Sequence, residues 1–309
     1  MGWNGSLSAS SAVGAAITYT PDTTTEGGYT VGAFTAPKKG VYAFQIKGSG
    51  GSINGPHSDG VYSAGGTGGF TTGYLLLENG QTVYVGAGGP CSAAFVSKVT
   101  GSALKNITKE NLYFVAGAGG GGGANWGQQW GMKAGAGGAG GGVSGGGGGA
   151  ANGANGAGGS QTAGGSSGAG SAAAYGVGGG GGGYWNNNNT SHWGGRGGDG
   201  YYGGGGGGGS SGGGGGSGYI YTGSIRVGSK TYTNSTQQGG GAGSNARGSV
   251  QVSYHARAEL PVIFNGTTLE RLLFNGVEVE SLIYDGVKLF FRKLRRWGRC
   301  LNSAEPVSA

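Results

Sequence analysis

From residue 117 to about 218 roughly half of the chain is glycine, with Ala and Ser as the main fillers. No other feature limits the available folds so tightly. Glycine has no Cβ, so such a stretch cannot build an ordinary side-chain core. It also loses more freedom on ordering than any other residue, at about 1–2 kcal/mol per residue. A flexible linker is the simplest outcome. Yet a linker has no use for Trp126, Trp130, Trp185 and Trp193, four of the six tryptophans. The other outcome is an ordered bundle of polyglycine helices. A chain of polyproline-II geometry has about three residues per turn, rises about 3.1 Å per residue and points its backbone groups outward. Without side chains, neighbours approach closely enough to pair N–H with C=O laterally, with weak Cα–H···O support. At a net ~1 kcal/mol per hydrogen bond, this offsets the entropy only if nearly every group is paired. We expect the ordered bundle, formed as a unit and seeded by the sequence around it.

The flanks read as β-structure. GVYAFQIKG sets Tyr42, Phe44 and Ile46 against Val41, Ala43 and Gln45, a two-residue alternation with the large apolar residues on one face. FTTGYLLLENGQTVYVGAGG reads as strand, Asn79-Gly80 turn, strand, which predicts a hairpin. NLYFVAGAGGG gives a strand running into glycine, and SVQVSYHA at 249 to 256 gives a last one. The glycine block thus sits as an insertion within one β domain. With 85 glycines but only six prolines and no Gly-X-Y period, the composition excludes collagen. Few charges and many aromatics argue against a solvated disordered tail.

Near the C-terminus, FNGTTLERLL FNGVEVESLI YDGVKLFFRK repeats an aromatic, Asn or Asp, and Gly every ten residues, at Phe264, Phe274 and Tyr284. Asn-Gly and Asp-Gly suit the type I′ turn, whose central residues both need φ > 0. A small β-meander over 259–293 is expected. The net charge of +7 is concentrated in Arg292, Lys293, Arg295, Arg296 and Arg299. Such a cluster can dock a protein or touch an anionic surface. Leu289, Phe290, Leu294 and Trp297 could share one face of a docking helix there.

Little points to catalysis. His57, His192 and His255 are scattered without partners at ligand spacing, so no metal or cofactor is expected. GxGxxG matches are meaningless inside glycine tracts, and VGSKT at 227 to 231 lacks the Gly that a P-loop places before its Lys. Cys91 and Cys300, the two cysteines, suggest neither a metal site nor a disulfide framework. No apolar run approaches the ~20 residues of a membrane span, and the N-terminus carries no evident secretory signal. MGWNGS matches a myristoylation pattern, a chance match in a Gly- and Ser-rich chain.

Recognition remains. The glycine runs are interrupted by NWGQQWGMK, GYWNNNNTSHWGGR and DGYYGG. These place Trp126, Gln128, Gln129, Trp130, Tyr184, Trp185, Asn186, Asn187, Asn188, Asn189, His192, Trp193, Tyr201 and Tyr202 between glycine segments. Aromatic faces beside amides suit a polyhydroxylated ligand such as a glycan. The same aromatics could instead plug the bundle ends or pack on the β domain, and both readings stay open.

FTAPKKGVYAFQIKGSGG, GGTGGFTTGYLLLENGQTVYVGAGG and LYFVAGAGGGGG, in that order, resemble the glycine-rich module of many bacterial and phage surface proteins. They are also similar to the extracellular glycine-rich domain of the anaplastic lymphoma kinase family. The resemblance covers about residues 28 to 255 and implies an all-β, tumour-necrosis-factor-like jelly roll carrying an inserted polyglycine II bundle. Glycine-rich adhesins of phage tail fibres resemble the bundle, and in them the loops between glycine runs touch the host receptor. Many such modules carry a Trp where this chain has Gln45, Ile46 and Lys47. The terminal repeat resembles short modules of phage tail and head-fibre proteins.

The expected organisation is an N-terminal segment at 1–27, a glycine-rich jelly roll at 28–258 with 117–218 inserted, the meander at 259–293 and a basic tail at 294–309. The expected role is a non-enzymatic phage virion component, assembled in the host cytoplasm and binding a bacterial surface glycan or protein. Phe264, Phe274, Tyr284, Arg292, Arg295, Arg296 and Trp297 would attach it to other virion proteins. The resemblance to trimeric jelly rolls fits a homotrimer. A purely structural spacer is the first alternative. A glycine-rich RNA-binding protein is the second, weakened because Arg196-Gly197-Gly198 is the one Arg-Gly-Gly triplet in the block.

Overall fold

The computed structural model describes residues 2–53, 60–126, 134–151, 153–168, 171–179, 181, 183–185, 191–222, 224–227 and 230–257, and short strands between 262 and 290. The described residues are essentially all-β, with no helix of seven residues or more. Strands in chain order are β1 (Trp3–Asn4), β2 (Ala16–Tyr19), β3 (Tyr29–Thr35), β4 (Gly40–Lys47), β5 (Gly60–Tyr62), β6 (Gly69–Leu77), β7 (Thr82–Gly88) and β8 (Ala94–Ser97). After two short 3₁₀ turns come β9 (Leu112–Ala116), β10 (Ala124–Trp126), β11 (Gly183–Trp185), β12 (Ser191–Trp193) and β13 (Tyr219–Ile220). Then follow β14 (Ile225–Val227), β15 (Lys230–Tyr232), β16 (Ser235–Gly240) and β17 (Ser249–Arg257).

Two antiparallel sheets face each other across one apolar core. The first runs β1-β2-β17-β4-β6-β16 and the second β13-β9-β8-β7-β3. Alternation decides which side chains enter the core. Tyr42, Phe44 and Ile46 of β4 are fully buried, as are Val250 and Val252 of β17, while Gln45 between them is exposed. They meet Val83 and Val85 of β7, Val96 of β8 and Phe114 of β9 in the same cluster. Phe44 and Phe114 approach to 6.1 Å between ring centroids. The Phe114 ring lies so close to β6 that a Cβ on Gly73 would sit 2.3 Å from it, which explains a glycine in mid-strand.

Three expectations need correction. The Asn79-Gly80 turn does not make a hairpin, because β6 pairs with β4 and β16 while β7 pairs with β3 and β8. Gly80 has φ +80° but Asn79 does not have positive φ, so the turn is not type I′. With Gln81 N donating to Glu78 O, the positive φ falls at the second central residue, as in a type II turn, which splays its flanking strands, and here it carries the chain from one sheet to the other. The first 27 residues are not a separate segment either. They supply β1 and β2, and β2 pairs with β17 along Val250↔Tyr19 to Ser253↔Ala16.

The third correction concerns the repeat, whose strands are β18 (Val262–Phe264), β19 (Thr267–Leu269), β20 (Leu273–Phe274), β21 (Val277–Glu278), β22 (Ser281–Tyr284) and β23 (Val287–Phe290). Each turn does close a hairpin, through Phe264↔Thr267, Phe274↔Val277 and Tyr284↔Val287. Among the described residues, however, these are three two-stranded ladders rather than a meander. Pairing inside a repeat costs only a two-residue turn, so it is satisfied locally. Leu289 and Phe290 belong to β23 opposite Leu282 and Ser281, not to a helix. Arg292, Arg295, Arg296 and Trp297 lie outside the described residues.

In the glycine block the backbone bonds sideways, in threes. Segment 117–123 leaves β9 and enters β10. Its N–H groups donate in rotation: Ala118 to Asp199, Gly119 to Ser49, Gly120 to Gly138, then Gly121 to Arg196, Gly122 to Ser52 and Gly123 to Gly135. Every third residue thus returns to the same neighbour, at 2.7–3.0 Å. Segment 212–217 is fully enclosed. It donates to Gly149 and Gly146, to Gly121 and Ala118, and to Gly205 and Tyr202. Its carbonyls accept from Gly156 and Gly159, Gly138 and Gly141, and Gly198 and Tyr201. Six separate segments surround it, and each of its N–H and C=O groups is paired.

This closeness forbids side chains. A Cβ on Gly213 would lie 2.2 Å from the Arg196 carbonyl oxygen, and one on Gly214 2.0 Å from that of Ala157. Two alanines three residues apart fall where there is room, Ala136 exposed and Ala139 partly so, whereas Ala118 is buried. Identical residues bonded every third position leave the register ambiguous, since a slip of three residues restores every bond. Serines at the ends of the enclosed segment remove the ambiguity. Ser211 Oγ donates to Gly153 O and accepts from Ala151 N, while Ser217 Oγ donates to Ser160 O and accepts from Tyr202 N.

Substitution of Gly213→Ala should cost about 2–3 kcal/mol in equilibrium denaturation, as overpacking does. Gly147→Ala is the control, because its Cβ would come no nearer than 3.6 Å to another atom, and it should stay within about 0.5 kcal/mol of the parent. Equal effects would mean that close approach is not what selects glycine.

Candidate binding surface at the end of the glycine block

The glycine segments end in a small antiparallel sheet, ordered β11-β12-β10-β5. Each of three strands continues a glycine segment: β10 follows 117–123, β11 follows 177–181 and β12 precedes 194–199. The register brings distant tryptophans into neighbouring rows. Trp126 and Trp185 both stand opposite Ser191, and Trp193 stands opposite Ala124 and Gly183. His192 lies opposite Asn125 on one side and Tyr184 on the other.

Alternation along β12 divides inside from outside. His192 is 6 % exposed, with Nδ1 3.2 Å from Ser210 Oγ, whereas Trp193 is 40 % exposed. Asn125, opposite His192, is also buried. Ser210 sits in the turn that reverses the chain between the segments 203–208 and 212–217, with Gly209 at φ +55°. His192 therefore ties the sheet to the glycine segments at Ser210, as a packing residue, while Trp193 offers an indole to solvent. The row of Gly60, Trp126, Ser191 and Trp185 is where the chain passes into 54–59, 127–133 and 186–190. Gln128, Gln129, Trp130, Asn186, Asn187, Asn188 and Asn189 fall in those stretches, outside the described residues.

Tyr201 and Tyr202 are not part of this surface. Segment 194–199 carries the chain from Trp193 to the other end of segment 211–217, since Gly195 N donates to Ser211 O and Tyr201 N to Ser217 O. There Tyr201 stacks on Tyr219 at 4.5 Å and 18°, and meets Tyr175 and Tyr202 edge-on. Lys109 Nζ donates to Tyr202 OH and lies 4.4 Å from that ring's centroid. Tyr175 and Lys109 were not singled out in the sequence, whereas Tyr219 lies in GYIYTG at 218 to 223, another of the aromatic stretches that interrupt the glycine runs. A partial signal was present, since successive glycine runs are bounded by Trp126, Tyr175, Trp185, Trp193 and Tyr201 in turn, with Tyr184 beside Trp185 as the exception.

A polar cluster fastens that tyrosine end to the two-sheet core. Arg196 pairs with Asp199 at 2.7 Å, and Asp199 also accepts from Tyr29 OH at 2.9 Å and from Gly178 N at 2.8 Å. Burial holds the Asp199 carboxyl above its usual range, with Arg196, Gly178 and Tyr29 opposing the shift. The arginine of the single Arg-Gly-Gly triplet is thus committed to an internal pair. Beside it Cys91 is fully buried, with φ +61°, and its Sγ accepts from Ser52 N at 3.3 Å. Burial, reinforced by the charge of Glu26, pushes its thiol up to about 12. This is the opposite of a nucleophile's environment. Among the described residues no group of three or more His, Cys, Asp or Glu could hold a metal ion. No helix there is long and apolar enough to cross a membrane.

At pH 8 the peptide containing Cys91 should remain unalkylated by iodoacetamide in the folded protein and react fully in denaturant, as read by mass spectrometry. Rapid native labelling would contradict the buried, raised thiol. Compared with known proteins, the chain matches no family model, and no curated protein matches it significantly.

Proposed function

We propose that this chain is a non-enzymatic component of a phage particle, a tail or head fibre, whose glycine block is a rigid bundle of polyglycine II helices set into a jelly-roll sandwich. The loops at the tryptophan end bind a bacterial surface glycan or protein. The hairpin repeat, with Phe264, Phe274 and Tyr284, and the basic tail attach the chain to other virion proteins. A homotrimer, as in other jelly-roll fibres, belongs to the same reading.

One observation carries this reading. The lateral bonds recur every third residue and enclose segment 212–217 on six sides, the pattern expected of packed three-fold helices rather than of a tether. A rod of that kind holds its end loops at a fixed distance from the body. The exposed Trp193 at that end supplies the large, flat, amphipathic area that recognition sites favour. The pure spacer reading rests on the same rod and differs only in leaving the tip without a ligand.

Simultaneous Ala replacement of Trp126, Trp130, Trp185 and Trp193 separates the two readings. Under the adhesin reading, adsorption to host cells falls at least tenfold while the particles still assemble and sediment normally. Unchanged adsorption by intact particles would leave the spacer.

A further inference from the structure

The tyrosine end of the block carries a second surface that the tip does not use. Its rings form a ribbon of two groups, which meet at Tyr219 and Tyr221, two residues apart in the chain. Tyr202, Tyr175 and Tyr201 meet edge-on at 5.5–6.1 Å, Tyr201 stacks on Tyr219, and Tyr221, two residues further along the same strand direction, meets Tyr113 at 6.2 Å. Tyr175, Tyr201 and Tyr219 rest on a satellite core of Leu104, Ile107, Leu112 and Val115. None of the six rings is buried outright, and Tyr221 is 44 % exposed. Lysines sit at both ends: Lys109 over Tyr202 at 4.4 Å and Lys98 over Tyr113 at 5.5 Å. A third, Lys105, is exposed beside Gly176, which adjoins Tyr175. Glu110 is the one acid on the stretch 98–113 that holds these cations.

We infer that this ribbon binds an anionic polysaccharide, independently of whatever the tip contacts. Sugar rings stack their apolar faces on half-exposed phenols, the phenol hydroxyls meet sugar hydroxyls, and the lysine ammonium groups pair with carboxylates spaced along the polymer. A peptide added as an extra strand fits poorly, because Tyr221 already spends its N–H on Tyr113 O and its carbonyl on Asn234 Nδ2. Single-stranded nucleic acid would stack on the same rings, but its affinity depends on neutralising many phosphates, and three cations against one acid offer few.

The test uses the full-length protein in affinity electrophoresis through polygalacturonate, neutral dextran or poly(U). Retardation is expected in polygalacturonate, little in dextran, and a steep loss at 0.5 M salt. The double variant Lys98→Gln/Lys109→Gln should bind polygalacturonate at least tenfold more weakly, whereas Lys47→Gln, which removes an exposed lysine on β4, should not. Protection of Cys91 from alkylation confirms that each variant is folded. Equal retardation of parent and double variant, equal retardation in dextran, stronger retardation in poly(U), or none in any polymer would each overturn the inference.

Discussion

Pairing of backbone amides between side-chain-free segments is the constraint on which the rest of this molecule depends. Secondary structure usually satisfies the backbone within a helix or along a sheet, leaving side chains to hold elements together. Here the backbone itself is the packing surface. Segment 212–217 contacts six neighbours with almost nothing but N–H, C=O and Cα. The arrangement tolerates no half measures, because an unpaired buried peptide group costs about as much as several good bonds return. It follows that the block must be built onto something already ordered. The two-sheet core serves, since β9 runs straight into segment 117–123 and Ser49 and Ser52, just beyond β4, accept bonds from it.

Much of this was legible in the sequence, for identifiable reasons. The alternation in GVYAFQIKG predicted the face that carries Tyr42, Phe44 and Ile46 into the core, but not that Val41 and Ala43 on the other face are buried as well. The Asn-Gly and Asp-Gly turns of the repeat predicted hairpins, since a two-residue closure lets the strands on either side pair locally. The same dipeptide misled at Asn79-Gly80. There Leu75 and Leu77 commit β6 to one sheet while Val83 and Val85 commit β7 to the facing one, so core burial overrode local turn preference. Strands β1 and β2 were missed because they are short and flanked by Ser and Gly. Three-residue spacing of Ala136 and Ala139 was visible but carries meaning only once the neighbours are known.

Aromatic residues in the block divide by place. Trp126, Trp185 and Trp193 share one end of the glycine segments with Tyr184, and Tyr175, Tyr201 and Tyr202 gather at the other, where Arg196, Asp199 and Tyr29 lock the segments to the core. Sequence proximity concealed this division: Trp193 and Tyr201 are separated by few residues, yet the segment between them runs beside 211–217 from its first residue to its last. In a helix or a compact loop the same spacing would have brought the two rings within reach of each other.

The bonding repeat also sets how the molecule can change length. A single segment cannot grow alone, because its added residues would find no neighbours; all the segments around it must lengthen in step, each by a whole three-residue bonding repeat. Reach is therefore quantised, and insertions in multiples of three, spread over several glycine runs at once, are the only ones that keep every amide occupied. Between those steps the architecture has no intermediate size.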